Sequence, residues 1–237
     1  MIEKINLNNI LFLDIETVPE YHNYRGLDNE TQQLWEQKTQ YQRKDEVSAE
    51  DFYERAGIWA EFGKIITISV GYFVNKGDIR NFRVTSFWGD EKKILNDFSN
   101  LLNTHFNGTQ HVLCGHNAKE FDIPFIARRM IINGIALPNK LNLFGKKPWE
   151  VPHLDTLELW KFGDYKHFTS LKLLTKVLGI PSPKDDIDGS EVAHVFYVED
   201  NIDRIITYCE KDVIAVAQIF LRLRREDLLI DDEIIHV

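Results

Sequence analysis

Two carboxylates, Asp14 and Glu16, sit inside an otherwise apolar run, Ile10-Leu11-Phe12-Leu13-Asp14-Ile15-Glu16-Thr17. Four consecutive apolar residues followed by alternation predict a strand over Ile10–Ile15, buried where it begins. Side chains two apart on a strand share a face, so both acids are expected to project together at the strand's C-terminal end. Neighbouring anions on such a strand repel each other and lose hydration, a cost that a cation or hydrogen-bond donors must offset. Hard divalent cations are the usual compensation. For an isolated Asp-x-Glu, simple solvation at a strand end is the better reading, so the meaning of the pair depends on what joins it.

The chain has 237 residues, 43% of them apolar and 27% charged, enough for a substantial core in one large or two small domains. Its two cysteines, Cys114 and Cys209, lie outside any CxxC pattern, and a reducing, cytoplasmic-type compartment is the expectation. The opening Met1-Ile2-Glu3-Lys4-Ile5-Asn6 has no basic-then-apolar pattern, so no signal peptide is expected. No run approaches the roughly 20 apolar residues of a spanning helix, and no membrane partner is expected. A net charge of −9 argues against a polyanionic partner, but the charge is uneven. Lys119–Lys184 carries eleven Lys and Arg against six Asp and Glu, and the remainder carries 17 against 31. A basic middle between acidic ends suits weak, local contact with a phosphate backbone as well as it suits chance.

After the first strand comes a polar stretch, Glu20–Glu61, read as a helical insertion. Ser48 with Asp51 three residues on supplies a helix N-cap signal there. Ile65–Phe73 and Asn81–Trp88 read as a hairpin around Asn75-Lys76-Gly77-Asp78. An amphipathic helix follows over Glu91–Phe106, with Ile94, Leu95, Phe98, Leu101 and Leu102 on one stripe. A fourth strand, His111–Gly115, leads into a helix over Asp122–Asn133. Asn139–Pro152 reads as a loop bearing Lys140, Lys146, Lys147 and Trp149. A short strand is expected at Leu154–Leu157, a helix at Ser170–Leu178 ended by Gly179 and Pro181, and a long helix at Ile202–Arg224. The acidic tail, Glu226–Val237, is expected to be loosely held. Three strands and then alternating helix and strand give a mixed-sheet α/β layer structure.

Two further segments bear on the acidic pair. In His116-Asn117-Ala118-Lys119-Glu120-Phe121-Asp122, a strand end delivers Asn117 and Asp122 to the start of a helix, where an Asp also serves as a simple cap. In Tyr208-Cys209-Glu210-Lys211-Asp212, Tyr208 and Asp212 are four apart and share a helix face beside the apolar stripe of Ile205, Val213, Val216 and Phe220. Asp-x-Glu, Asn-x-x-x-Phe-Asp and Tyr-x-x-x-Asp, in that order, resemble the three motifs of the DEDD-type 3′–5′ exonucleases in their tyrosine subgroup. The likeness is to the proofreading exonuclease domain of family-B DNA polymerases. It spans about Asn9 to Leu223 and includes Phe62–Ser69 and the step Leu154-Asp155-Thr156. The histidine subgroup has His five residues before its last Asp, where Thr207 stands here.

The resemblance implies a free-standing exonuclease on an RNase H-like mixed sheet flanked by helices, over residues 1–225, with 226–237 as an acidic tail. It implies Asp14, Glu16, Asp122 and Asp212 as ligands of two divalent cations, Mg²⁺ or Mn²⁺. One ion would bind Asp14, Glu16 and Asp212, and the other Asp14 and Asp122, with Tyr208 orienting the attacking water. Such carboxylates suit hard cations, and two-metal sites set the ions about 3.5–4 Å apart, one at each reacting oxygen. The expected substrates are 3′ ends of single-stranded DNA, or else RNA, cut to nucleoside 5′-monophosphates. A non-catalytic binder of nucleic-acid ends and an unrelated two-metal phosphatase are the rival readings. Thr17, Asn117, Lys119 and Phe121 are candidate substrate contacts. Lys146, Lys147 and Lys166 are further phosphate candidates, and Trp149 and Phe168 are aromatics able to stack on bases. Asp155 is placed near the metals as a supporting residue at most, and His116 is read as a structural hydrogen-bonding group. No HExxH, P-loop, GxGxxG or GxSxG is present.

Overall fold

The computed structural model describes residues 2–43, 47–77, 79–164, 166–181 and 187–237. Residues 44–46 of the insertion, Asp78 of the expected turn and Lys184 of the basic segment lie outside the described residues. The strands are β1 (Ile10–Pro19), β2 (Gly63–Lys76), β3 (Ile79–Trp88), β4 (Val112–Gly115), β5 (Leu154–Asp155) and β6 (Ile234–His236). The helices are α1 (Asn29–Thr39), α2 (Ala49–Phe52), α3 (Glu91–Thr104), α4 (Asp122–Ile132), α5 (Thr156–Lys161), α6 (Leu171–Val177), α7 (Val192–Tyr197) and α8 (Ile202–Leu223).

The strands form one mixed sheet in the order β5-β4-β1-β2-β3-β6. β1, β2 and β3 are antiparallel neighbours, whereas β4 runs parallel to β1, β5 to β4 and β6 to β3. Alternation along β1 sorts its side chains between two layers. Leu11, Leu13 and Ile15 pack with Ile94 and Phe98 of α3 and Ile126 of α4, while Ile10 and Phe12 pack with Val213 and Phe220 of α8. Each such fully buried side chain contributes about 1.5–3 kcal/mol. Asp14 and Glu16 continue the Ile10–Phe12 face and therefore look toward α8. β1 does not end at its acids, as expected from sequence, but runs on to Pro19, with a register shift between Glu16 and Thr17.

Residues of the Glu20–Glu61 stretch fold around Trp35, which is fully buried among Phe52, Tyr53, Trp59 and Phe62. Its indole N–H donates to the Ala49 carbonyl at 2.8 Å, and Ser48 caps α2 by accepting from the Asp51 amide. This small aromatic core is tied to the sheet by Arg129 of α4. The guanidinium binds both oxygens of Glu91, the Glu20 carboxylate and the Ala60 carbonyl.

Two sequence expectations are corrected. The segment after Leu154 is a strand for two residues only, because Asp155 accepts from the Leu157 and Glu158 amides and starts α5. The tail is not loosely held. Ile234–His236 pairs with Phe82–Val84, Leu229 is buried, and Arg80 binds Glu233 together with the carbonyls of Asp227 and Leu228. Among the described residues, no helix is long and apolar enough to cross a membrane.

Candidate active site

Two features bring α4 to the acids of β1. The pairing of β4 with β1 ends at Phe12, opposite Cys114, and the chain then turns. Gly115 permits the turn: a Cβ there would sit 2.4 Å from the Ala118 side chain and 3.1 Å from the Leu13 carbonyl. Asn117 takes the left-handed conformation (φ 63°), one that Asn tolerates better than most residues. The turn is held from below by Asp155, whose carboxylate accepts from the Asn117 amide at 2.9 Å and the Lys119 amide at 3.0 Å. His116 braces the same turn, with Nδ1 2.9 Å from the Thr156 hydroxyl and Nε2 2.8 Å from the Thr169 carbonyl. Asp122 then opens α4 with its carboxylate on the Ile15 amide, directly between Asp14 and Glu16 in sequence.

Asp14, Glu16, Asp122 and Asp212 are near enough to act on one another's charge, although the tightest group among the described residues is Asp14 and Glu16 with Cys209. Burial is the main reason that Asp14 and Glu16 are raised well above the ordinary carboxylate range. The charges of Asp122 and Asp212 add to the effect on both. Burial likewise lifts Asp122 to about 7, with Asp155 and Asp212 adding repulsion and amide hydrogen bonds opposing it. Tyr208, one helical turn before Asp212, donates to that carboxylate, and burial followed by the surrounding acids pushes its phenol far above 10. Tyr208 and Asp212 open onto a cavity of about 160 Å³ that is also lined by Ser170, Lys172, Asp188 and Lys211.

The third group on the Asp14–Glu16 pair is one that sequence reading passed over. The Cys209 sulfur and oxygens of Asp14 and Glu16 lie within 4.8 Å of one another, and the thiol donates to Asp14 Oδ2 at 3.3 Å. Burial, then the charges of Asp14 and Glu16, raise the thiol, so it faces the acids as a neutral donor and not as a thiolate ligand. Only its position between Tyr208 and Asp212 could have flagged it. The donors that remain are carboxylate oxygens, the set that suits a hard divalent cation. The Thr67 hydroxyl, buried opposite Glu16 in the β1–β2 register, has no hydrogen-bond partner and is available to a bound water or ligand.

The expected substrate contacts fare differently. Thr17 spends its hydroxyl on the Gly57 carbonyl at 2.7 Å and so anchors the insertion. The Lys119 ammonium is paired with Glu158 at 2.6 Å, with its side chain 9% exposed, which withdraws it from solvent. Asn117 keeps its side chain partly exposed while its backbone serves the turn. Phe121 is half-buried against Phe125 and the core. Lys140 is likewise committed, to the carbonyls of Gly108 and His111. Trp149 and Phe168 are largely exposed, and Lys147 lies 5.3 Å over the Trp149 ring.

A family model described as a predicted 3′–5′ exonuclease related to the exonuclease domain of PolB matches residues 58–233, well over half of the chain. The chain belongs to this family. It is therefore an enzyme of the nuclease class, acting on nucleic acid. No curated protein compared with the chain matches it. Among solved structures it is similar to the family B DNA polymerase from the hyperthermophilic archaeon Pyrobaculum calidifontis, with TM-score 0.53 and 14% identity. That likeness covers 90% of this chain and 24% of the polymerase, so the chain spans about a quarter of the polymerase's length. The shared architecture is the RNase H-like mixed sheet flanked by helices.

Proposed function

We propose that the protein is a metal-dependent exonuclease that removes nucleoside 5′-monophosphates from 3′ ends of single-stranded DNA. What supports this reading is the mutual electrostatic influence of Asp14, Glu16, Asp122 and Asp212, four acids from two strand positions and two helices, in a partly buried region. Such a cluster is unstable without positive charge, and a protein that only bound a polyanion would gain nothing from it. Asp14, Glu16 and Asp212 would hold one divalent cation, Mg²⁺ or Mn²⁺, and Asp14 with Asp122 a second. When bound, the pair supplies a hydroxide-like nucleophile and relieves charge on the leaving 3′ oxygen.

The chain's own residues do the rest. Tyr208 retains its proton across the neutral range, so its hydroxyl orients a water by hydrogen bonding and does not act as base. Asp155 holds the turn that delivers Asp122 and fixes its distance from β1. The half-exposed Phe121 edge and the Asn117 side chain stand beside that turn, where a terminal nucleotide would lie. The insertion, fastened to β1 through Thr17 and Gly57, borders the same strand end and shapes access of the strand.

Incubation of 3′- and 5′-labelled oligonucleotides of matched DNA and RNA sequence with Mn²⁺ tests this directly. Stepwise shortening from the 3′ end with release of 5′-monophosphates, faster on DNA, is the expected result. Faster cutting of RNA would make the enzyme an exoribonuclease. Retention of intact oligomer in a stable complex would make it an end-binding protein.

A further inference from the structure

The register of the sheet places a row of small polar side chains beside Asp14. Asp14 pairs with Ser69 on β2, and Ser69 with Ser86 on β3, so all three project on the face covered by α8. Cys209 is hydrogen-bonded to Asp14 at 3.3 Å and also to Ser69. The Ser69 and Ser86 hydroxyls are 2.8 Å apart, and Ser86 donates to Glu210 Oε1 at 2.8 Å. Glu210 Oε2 meets His236 Nδ1 at 2.7 Å, where the imidazole reaches solvent on β6. These polar contacts thus run from the partly buried Asp14 carboxylate of the candidate metal site to an edge strand of the sheet.

Counting hydrogens gives the row a direction. A hydroxyl has one hydrogen and two lone pairs, and a thiol one hydrogen. With Ser86 committed to Glu210, Ser69 donates to Ser86 and keeps a lone pair for Cys209. The single S–H goes to Asp14, and the sulfur keeps its contact with Ser69 on the other side. We propose that Cys209, Ser69, Ser86 and Glu210 are positioning residues that fix the orientation of the Asp14 carboxylate, and that β6 completes the row through His236. This rests on Asp14 being a metal ligand, as proposed above. Groups that hydrogen-bond a ligand fix its geometry, and removing one typically lowers metal affinity or activity about 10–100-fold.

The test compares the full-length wild type with Ser86→Ala, Ser86→Thr and Cys209→Ala. Ser86 is three hydrogen-bonding contacts from Asp14 and touches no candidate ligand. Infrared spectroscopy of the metal-free protein reads the S–H stretch of Cys209, assigned by its loss in Cys209→Ala, with Cys114 as internal reference. Electron paramagnetic resonance of free Mn²⁺ reads cation affinity. In Ser86→Ala the Cys209 band should shift while the Cys114 band stays. Mn²⁺ affinity and kcat should fall about tenfold with KM for the oligonucleotide unchanged, and Ser86→Thr should restore both. Glu210→Ala, a helix-compatible change, should act in the same direction and replaces Ser86→Ala if that variant does not fold. An unshifted Cys209 band and unaltered Mn²⁺ affinity in an otherwise active enzyme would overturn the proposal. A wild type that takes up no Mn²⁺ would instead defeat the metal reading, and the infrared comparison, which needs no metal, would still decide whether the row orders the thiol.

Discussion

Asp122→Asn should make the metal-free protein more stable while destroying its activity. Asp122 is buried, and its carboxyl is raised from 3.8 to about 7, chiefly by loss of hydration. About three pH units at about 1.4 kcal/mol each puts the cost of ionising this group inside the fold near 4 kcal/mol. Asn keeps the oxygen that accepts from the Ile15 amide and offers an N–H₂ to the neighbouring acids. Allowing for partial relaxation of the cluster, about 2–4 kcal/mol should be recovered at about pH 8, or a rise in Tm of about 5–10 °C for a chain of this size. The sign follows from the direction of the shift. The folded carboxyl holds its proton more tightly than the unfolded one, so the wild type is favoured below about pH 4 and loses that contribution as pH rises toward 7. The gap between variant and wild type should therefore open across that window and close below it. Scanning calorimetry in a chelator over that pH range is the assay. A variant that melts below the wild type at about pH 8 would refute the electrostatic argument.

Other outcomes follow from the same geometry. Asp212→Asn should lower kcat by about three orders of magnitude, the equivalent of several kcal/mol of lost charge stabilisation, with circular dichroism unchanged. Tyr208→Phe should lower kcat about a hundredfold and leave KM alone, because the phenol orients water and does not hold the strand; a changed KM would reassign it to binding. Mn²⁺ should raise the Tm of the wild type more at about pH 8 than at about pH 5, since more of the cluster is then ionised, and a reversed order would count against carboxylate ligation. Arg129→Ala should cost about 2–4 kcal/mol in denaturant unfolding, because it removes the cation from the largely buried Glu91 carboxylate and releases the Ala60 carbonyl of the insertion.

What could be read in the sequence was whatever depends on short-range periodicity. The two-residue spacing placed Asp14 and Glu16 on one face, and the four-residue spacing placed Tyr208 and Asp212 on one side of α8. The Ser48 cap and the hairpin strands were legible for the same reason. Long-range pairing was not. Lys119 looked like a phosphate contact, but Glu158, 39 residues on, neutralises it. Thr17 looked like a substrate contact, but the Gly57 carbonyl takes its hydroxyl. Asp155 looked peripheral, yet four amides converge on it because the turn after β4 folds over the start of α5. The row from Cys209 to His236 depends on which residues of β1, β2 and β3 face one another, and a slip of one residue would send every member to the other face. The strand in the acidic tail is three residues long, too short for alternation to announce it.

The central claim is that Asp14, Glu16, Asp122 and Asp212 together hold divalent cations, and manganese shows this most directly. Crystals soaked in Mn²⁺ should give two anomalous peaks about 3.5–4 Å apart, both touching Asp14, one shared with Glu16 and Asp212 and the other with Asp122. No peak, or a single ion held by Asp14, Glu16 and the Cys209 sulfur with Asp122 and Asp212 turned away, would contradict it.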